Sequence, residues 1–235
     1  MALKDKVAII GVGSTKFGEN FEQSYFDMVT EALERVAEAI RNTDIELAQL
    51  VIEDDDRLDG RYLEVHQGVL SLLARQAPVA SDLRLIAALL EVIKHVERMG
   101  DQCVNICKLL PLAGNEPPTH PDMLERIVDM VQQARSEVAQ AKEAFARRDV
   151  DLAEDLVRQD EVINRLNREC FQVAIEIGDD PERREWAMHM MLVARWIERI
   201  GDNAVDIGEQ TAFVVTGLFR EFTDASHPEP VSPGS

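Results

Sequence analysis

Residues 96–106 read Val96-Glu-Arg-Met-Gly-Asp-Gln-Cys-Val-Asn-Ile106, and residues 197–207 read Ile197-Glu-Arg-Ile-Gly-Asp-Asn-Ala-Val-Asp-Ile207. Six of the eleven positions are identical at a constant offset of 101. Apolar residues recur at helical spacing in both copies, and each encloses a glycine. A second matching pair lies upstream, where Asp44-Ile-Glu-Leu-Ala48 parallels Asp149-Val-Asp-Leu-Ala153 and Asp55 parallels Asp160, now at an offset of 105. A repeat of about 100 residues is too long for a solenoid unit. The chain therefore reads as all-α, two tandem, homologous three-helix bundles packed along their lengths.

Working outward, helical periodicity holds from Phe21 almost to the C-terminus. A first helix is predicted over Ser24 to Asn42, with Phe26, Val29, Leu33, Val36, Ala37 and Ile40 on one face. Thr43 breaks it and Asp44 caps a second, continuous to about Gln76. After Pro78, Ser81 or Asp82 caps a third that reaches about Leu110. The stretch Pro111 to Pro121 holds four prolines and a glycine and reads as a linker. The scheme then recurs. A fourth helix spans Asp122 to Arg147, and a fifth, capped by Asp149, ends at Gly178 as a C′ glycine. A sixth starts at Asp180-Pro181 and runs to about Leu218. The domain division is thus 1–20 an atypical extension, 21–112 the first repeat, 113–120 the linker, 121–219 the second repeat, and 220–235 a disordered tail.

Composition narrows the function. The 235 residues carry 44 acids against 25 bases, a formal charge of −19. Nucleic-acid binding needs clustered Lys and Arg and is excluded as a main role, as is unaided adhesion to anionic lipid. No apolar run approaches the ~18 residues of a transmembrane helix. Three cysteines, Cys103, Cys107 and Cys170, form no C-x-x-C, so a reducing compartment is the expectation and the cytoplasm the predicted location.

Chemistry concentrates in rows of acids. Glu97, Asp101 and Asn105 are four apart, hence stacked on one helical face, and Glu198, Asp202 and Asp206 repeat the row. The second helices add Asp55 with Asp59, and Asp160 with Asn164. If second and third helices form an antiparallel hairpin, the rows face one another and make an oxygen-only site. Such donors suit a hard or borderline cation, namely Mg²⁺, Mn²⁺ or iron. In a chain this acidic, chance alone places acid pairs at this spacing about eight times, and a lone pair is ordinarily a solvated face. Two features set these rows apart: they recur within a duplicated block, and each encloses Gly100 or Gly201. A mid-helix glycine costs ~1 kcal/mol against alanine, and like charges four apart cost a few tenths more. Close helix approach accounts for the glycines. A cation, or an Arg–carboxylate network through Arg98 and Arg199, accounts for the acids. Asn105 and Asn164 stand where carboxylates would complete the rows, so the two sites are expected to differ.

Other motifs carry less. None of His66, His95, His120, His189 and His227 belongs to an E-x-x-H or H-E-x-x-H pattern, which removes ferritin-type di-iron and zincin sites. His95 lies about 200° around the helix from Glu97 and is expected at a surface or interface. Cys103 and Cys107 share a face and read as small core residues. Met188, Met190, Met191 and Trp196 read as core or interface packing. Gly11-Val-Gly13 lacks the third glycine and the βαβ unit of a dinucleotide site.

At the duplicated block, and at Arg75-Gln-Ala-Pro-Val-Ala-Ser-Asp-Leu-Arg84, the chain resembles the PhoU family of phosphate-uptake regulators, over about Phe21 to Phe222. The resemblance implies two tandem three-helix bundles, often dimeric, with cations on E/D-x-x-x-D motifs. These are matched by Asp55/Asp59, Glu97/Asp101 and Glu198/Asp202, and imperfectly by Asp160/Asn164. It implies a non-enzymatic, cytoplasmic negative regulator that links a phosphate ABC transporter, through its ATPase subunit, to a sensor histidine kinase, and that meets the membrane only through those partners. A carboxylate-bridged metalloenzyme and a metal-free structural adaptor bundle are the competing readings. Lys6 to Glu19 departs from the family and resembles the opening strand and turn of lipid-transfer-type thiolases; it reads as an extension without activity of its own.

Overall fold

A computed structural model describes residues 24–76, 78–114 and 117–222. The strand-and-turn reading of residues 7–18 and residues 223–235 of the predicted tail lie outside the described residues. Residues 220–222, placed in that tail, are described, and there Phe222 packs on the core and its amide donates to Glu209 Oε1 at 2.6 Å. Within them the fold is all-α: α1 (Tyr25–Asn42), α2 (Ile45–Glu53), α3 (Asp55–Arg75), α4 (Ser81–Leu109), a short 3₁₀ turn (Leu110–Ala113), α5 (Pro121–Arg147), α6 (Val150–Ile177) and α7 (Pro181–Thr216).

The duplication is visible in the backbone. In a capping box, the Asp27 amide donates to Ser24 Oγ at 3.3 Å and the Ser24 amide to Asp27 Oδ2 at 3.0 Å. Helix α1 stops where Thr43 turns left-handed (φ 53°), and α5 stops at the matching Arg148 (φ 56°). In each case the next residue, an aspartate, returns its amide to a carbonyl of the finished helix, Asp44 to Ala39 at 2.9 Å and Asp149 to Ala144 at 3.0 Å. Each aspartate then caps the following helix, accepting from the Leu47 amide at 2.9 Å and the Leu152 amide at 3.1 Å. Such a cap contributes about 1 kcal/mol. Asp180 caps α7 as expected, accepting from the Glu182 amide at 3.0 Å.

The second arm of the first repeat is not one helix. Asp54 interrupts it, in the α region but with ψ −8°, where the second repeat has the unbroken α6. Four successive acids, Glu53 to Asp56, repel one another and Asp is a poor mid-helix residue, whereas Asp55 and Asp56 favour the first turn of a new helix. Arg35 of α1 holds the break, its guanidinium paired with both Asp54 and Glu31. Two predicted termini also differ. Ala80 (φ 48°), not Ser81 or Asp82, stands at the N-cap of α4, without a side-chain cap. Gly178 has φ −70° and is no left-handed C′ glycine. The left-handed glycine is Gly217 (φ 76°), which ends α7. There Arg84 lies across the helix end, its Nη1 only 1.9 Å from where a β-carbon on Gly217 would stand. A cation at this position suits the helix dipole.

Helices α5, α6 and α7 pack closely on one another, and α1, α2 and α4 do the same in the first repeat. The repeats join through α1 against α5 and α4 against α7. Helix α3 packs chiefly on α4 and buries only Leu58 and Val69. The core holds Val29, Leu33, Val36, Ala37 and Ile40 of the predicted α1 face, with Phe26 partly buried and Tyr25 added to it. Burying one such leucine or isoleucine contributes roughly 1.5–3 kcal/mol. The three thiols are buried and free, and desolvation pushes Cys107 up to about 12. Met190 is buried and Met191 and Trp196 are partly so, but Met188 is exposed.

Candidate functional site

The acid rows meet between helices, twice. The first seam lies between α3 and α4. Burial raises the Asp55 carboxyl above its ordinary value, and the charges of Asp59 and Asp101 add to this, against Lys108. Burial likewise raises Glu97, followed by Asp101 and Asp59, with Arg98 opposing. Asp101 rises through burial and through Asp59. These four acids, predicted from two helices, thus act on one another. Asp59 and Asp101 are exposed, so the seam opens to solvent, and Asn105 is half-buried one turn further along α4.

Tyr25 joins this seam. Its hydroxyl is buried with no hydrogen-bond partner, and burial, then the charges of Glu97 and Asp59, push it far above the usual phenol range. Spacing did not reveal it, because as the first residue of α1 it reads as a core aromatic.

The second seam is closed. Asp160 of α6 is fully buried, and Asn164 and Glu198 are nearly so. Asn164 Nδ2 donates to Asp160 Oδ2 at 2.6 Å, and Arg195 pairs with Glu198. Burial raises Glu198, with Asp202 adding and Arg195 and Arg199 opposing. A further acid enters from α5: Glu137, fully buried and absent from the predicted rows. Its Oε1 accepts from Gln133 Nε2 at 3.0 Å, and its Oε2 has no hydrogen-bond partner. Burial first, then Asp160, pushes its carboxyl up to about 9, against the Gln133 hydrogen bond, with Asp202 adding a little. A lone acid on a helix with no second row gives no sequence signal; its partners belong to other helices.

The two glycines do different things. A β-carbon on Gly201 would stand 2.3 Å from Asp160 Oδ1 and 3.0 Å from Glu137 Oε2, so the glycine makes room for carboxylates from two other helices. At Gly100 the neighbour is the Leu58 side chain, at 3.1 Å. Asp206 of the predicted row turns to the interface between the repeats, 3.3 Å from His95 Nδ1. The same Nδ1 lies 2.8 Å from Asn203 Oδ1, while Asn203 Nδ2 donates to the Arg199 carbonyl at 2.6 Å. The amide orientation leaves Oδ1 as acceptor, so His95 donates through Nδ1. His95 is thus an interface residue.

Both seams offer only oxygen donors, the set a hard cation takes. Among the described residues no group of three or more His, Cys, Asp or Glu side chains is placed to hold a metal ion. The fit rests on the donor set, on the partnerless oxygens of Glu137, Glu198 and Tyr25, and on the space kept at Gly201. Among the described residues no helix is long and apolar enough to cross a membrane.

Comparison with known proteins agrees with this architecture. The family described as "PhoU domain" matches residues 23–110 and 127–211, one segment per repeat. The phosphate-specific transport system accessory protein PhoU homolog of Clostridium acetobutylicum is 29% identical over 80% of this chain and 85% of its own length. PhoU homolog 1 of Thermotoga maritima, named likewise, is 31% identical over 83% of this chain and 84% of its own. The crystal structure of PhoU from Pseudomonas aeruginosa superposes with a TM-score of 0.77 at 27% identity, covering 83% of this chain and 93% of that one. These relatives bear the names of transport accessory proteins, not of enzymes. With its two repeats matched and its length largely covered by such relatives, the chain belongs to the PhoU family.

Proposed function

We propose that the protein is a regulatory accessory of phosphate uptake, which couples a phosphate ABC transporter, through its ATPase subunit, to a sensor histidine kinase and represses starvation signalling when phosphate is plentiful. The observation that carries this reading is the match of both repeats to proteins named for phosphate-specific transport. The acidic surface, with a net charge of −19, favours docking on basic protein surfaces. The reading places the protein in the cytoplasm as a homodimer that reaches the membrane through its partners.

Within this function the two seams are proposed cation sites for Mg²⁺, Mn²⁺ or iron. Asp55, Asp59, Glu97 and Asp101 would hold one ion site, with Asn105 at its edge. Asp160, Asn164, Glu198 and Asp202 would hold the other, with Asp206 turned from it toward His95 at the interface between the repeats. A bound cation supplies positive charge that neutralises the mutual repulsion of these carboxylates. The chain's own residues position the donors: Asn164 orients Asp160, Arg195 orients Glu198, and Gly201 keeps the space open.

A pull-down of the transporter ATPase with the full chain, with and without phosphate, tests the coupling. Association that responds to phosphate is expected; absence of association in both conditions would sink it. Elemental analysis of gently purified protein tests the cation sites, with less than one ion per chain as the contrary result.

A further inference from the structure

We infer that Glu137 is a metal ligand of the second seam, so that this site draws carboxylates from all three helices of its repeat whereas the first draws them from two. The inference rests on the cation-site reading above and goes beyond the acid rows, which do not contain Glu137.

Three observations carry it. The carboxylate of Glu137 is fully buried, and one of its oxygens has no hydrogen-bond partner. Leaving a buried polar oxygen without a partner is costly, and the hydrogen bond from Gln133 reaches Oε1 and not Oε2. That partnerless oxygen is aimed at the seam: Glu137 Oε2 and Asp160 Oδ1 both lie within 3.0 Å of the same point beside Gly201. Finally, the other oxygen is fixed. Gln133 Nε2 donates to Oε1 and is itself tied to the Gln159 carbonyl and side-chain oxygen, each at 3.2 Å. An amide that orients one carboxylate oxygen and leaves the other facing its neighbours is the arrangement of a ligand with an outer-shell support.

The repeat supplies an internal control. Glu137 lies seven residues before Ala144, whose carbonyl receives the Asp149 amide. The matching position, seven before Ala39, is Ala32. There the first repeat has a methyl in place of a carboxylate, and Ala32 with Leu58, Gly100 and Cys103 forms one wall of a small cavity whose acids, Glu31 and Asp54, are paired with Arg35. The two seams therefore differ in both donor number and water access. The second is the site expected to bind more tightly and to exchange its ion more slowly.

Titration of the metal-free full chain with Mn²⁺, read by the electron paramagnetic resonance of the free ion, tests this. Wild type is expected to show two classes of site. Glu137→Gln, which keeps shape and hydrogen bonding but removes the charge, should weaken the tighter class by at least about tenfold and leave the weaker one unchanged. Glu137→Asp should bind better than Glu137→Gln, and Asp59→Asn should weaken only the weaker class. Circular dichroism checks that each variant is folded. If Glu137→Gln binds Mn²⁺ as wild type does at both classes, Glu137 is a protonated structural acid and the inference is wrong, while the cation-site reading stands. If wild type takes up no Mn²⁺, both fail together.

Discussion

His95 of α4 donates to Asn203 of α7 across 2.8 Å, and this bond joins the first repeat to the second inside their shared core. Both partners are buried, so removing His95 leaves the Asn203 side-chain oxygen without this donor in a site with little access to water, whereas removing Asn203 still leaves Asp206 3.3 Å from His95 Nδ1. His95→Ala is expected to cost ~1–3 kcal/mol in urea unfolding, more than an exposed histidine would. A double-mutant cycle with Asn203→Ala should give a coupling of ~0.5 kcal/mol or more, and simple additivity would show that the pair contributes nothing specific.

Gly100 and Gly201 occupy matching positions, yet alanine should affect them differently. At Gly201 the new methyl meets the Asp160 carboxylate and Ile163, and overpacking of this kind costs ~1–3 kcal/mol. At Gly100 it meets the end of the flexible Leu58 side chain, beside a small cavity, while alanine gains about 1 kcal/mol in helix propensity. Thermal melts should therefore show Gly201→Ala well below wild type and Gly100→Ala near it. Equal losses would contradict the packing described here.

Asp27 gives a pH dependence of determined sign. Its burial favours the protonated form, but the bonds from Lys142 and Ser24 outweigh this and hold the carboxyl below its usual range. A folded-state value below the unfolded one stabilises the protein above the unfolded value and loses that stability as pH falls through the folded one. Asp27→Asn should flatten the acid limb of a stability–pH curve, at and below the ordinary aspartate range, and leave the slope near neutrality alone. An unchanged acid limb would refute the assignment.

Relief of repulsion in the first seam has a visible signature. Asp101 is raised by burial and by Asp59, so its ionised form opposes folding of the metal-free chain. Asp101→Asn should raise the melting temperature of metal-free protein slightly, by the equivalent of ~1 kcal/mol or less, and at the same time reduce the Mn²⁺-induced rise in melting temperature. A drop in the metal-free protein would mean that Asp101 has a structural partner.

Much of this was legible in the residues. The duplicated block and the aspartate caps Asp44 and Asp149 are local signals, and local signals fix helix starts and the order of helices. The acids Asp55, Asp59, Glu97 and Asp101 were legible too, since a period of four names the face and a hairpin brings faces together. What escaped depends on distant packing. The break at Asp54 needs Arg35 from another helix to hold it. Ala80 enters a left-handed conformation that its own side chain does not favour. Glu137 and Tyr25 reach the seams from helices whose rotation about their axes is set by the whole bundle. Asp206 sits 80° around α7 from Glu198, enough to deliver it to His95 instead.

The packing of α4 on α7 and of α1 on α5 gives one continuous chain what two associated copies of a single repeat would have had. Identical copies are bound to carry the same side chain at both equivalent places. Fusion lifts that constraint, and a methyl at Ala32 where the other repeat has a carboxylate at Glu137 is a difference that two identical copies could not carry.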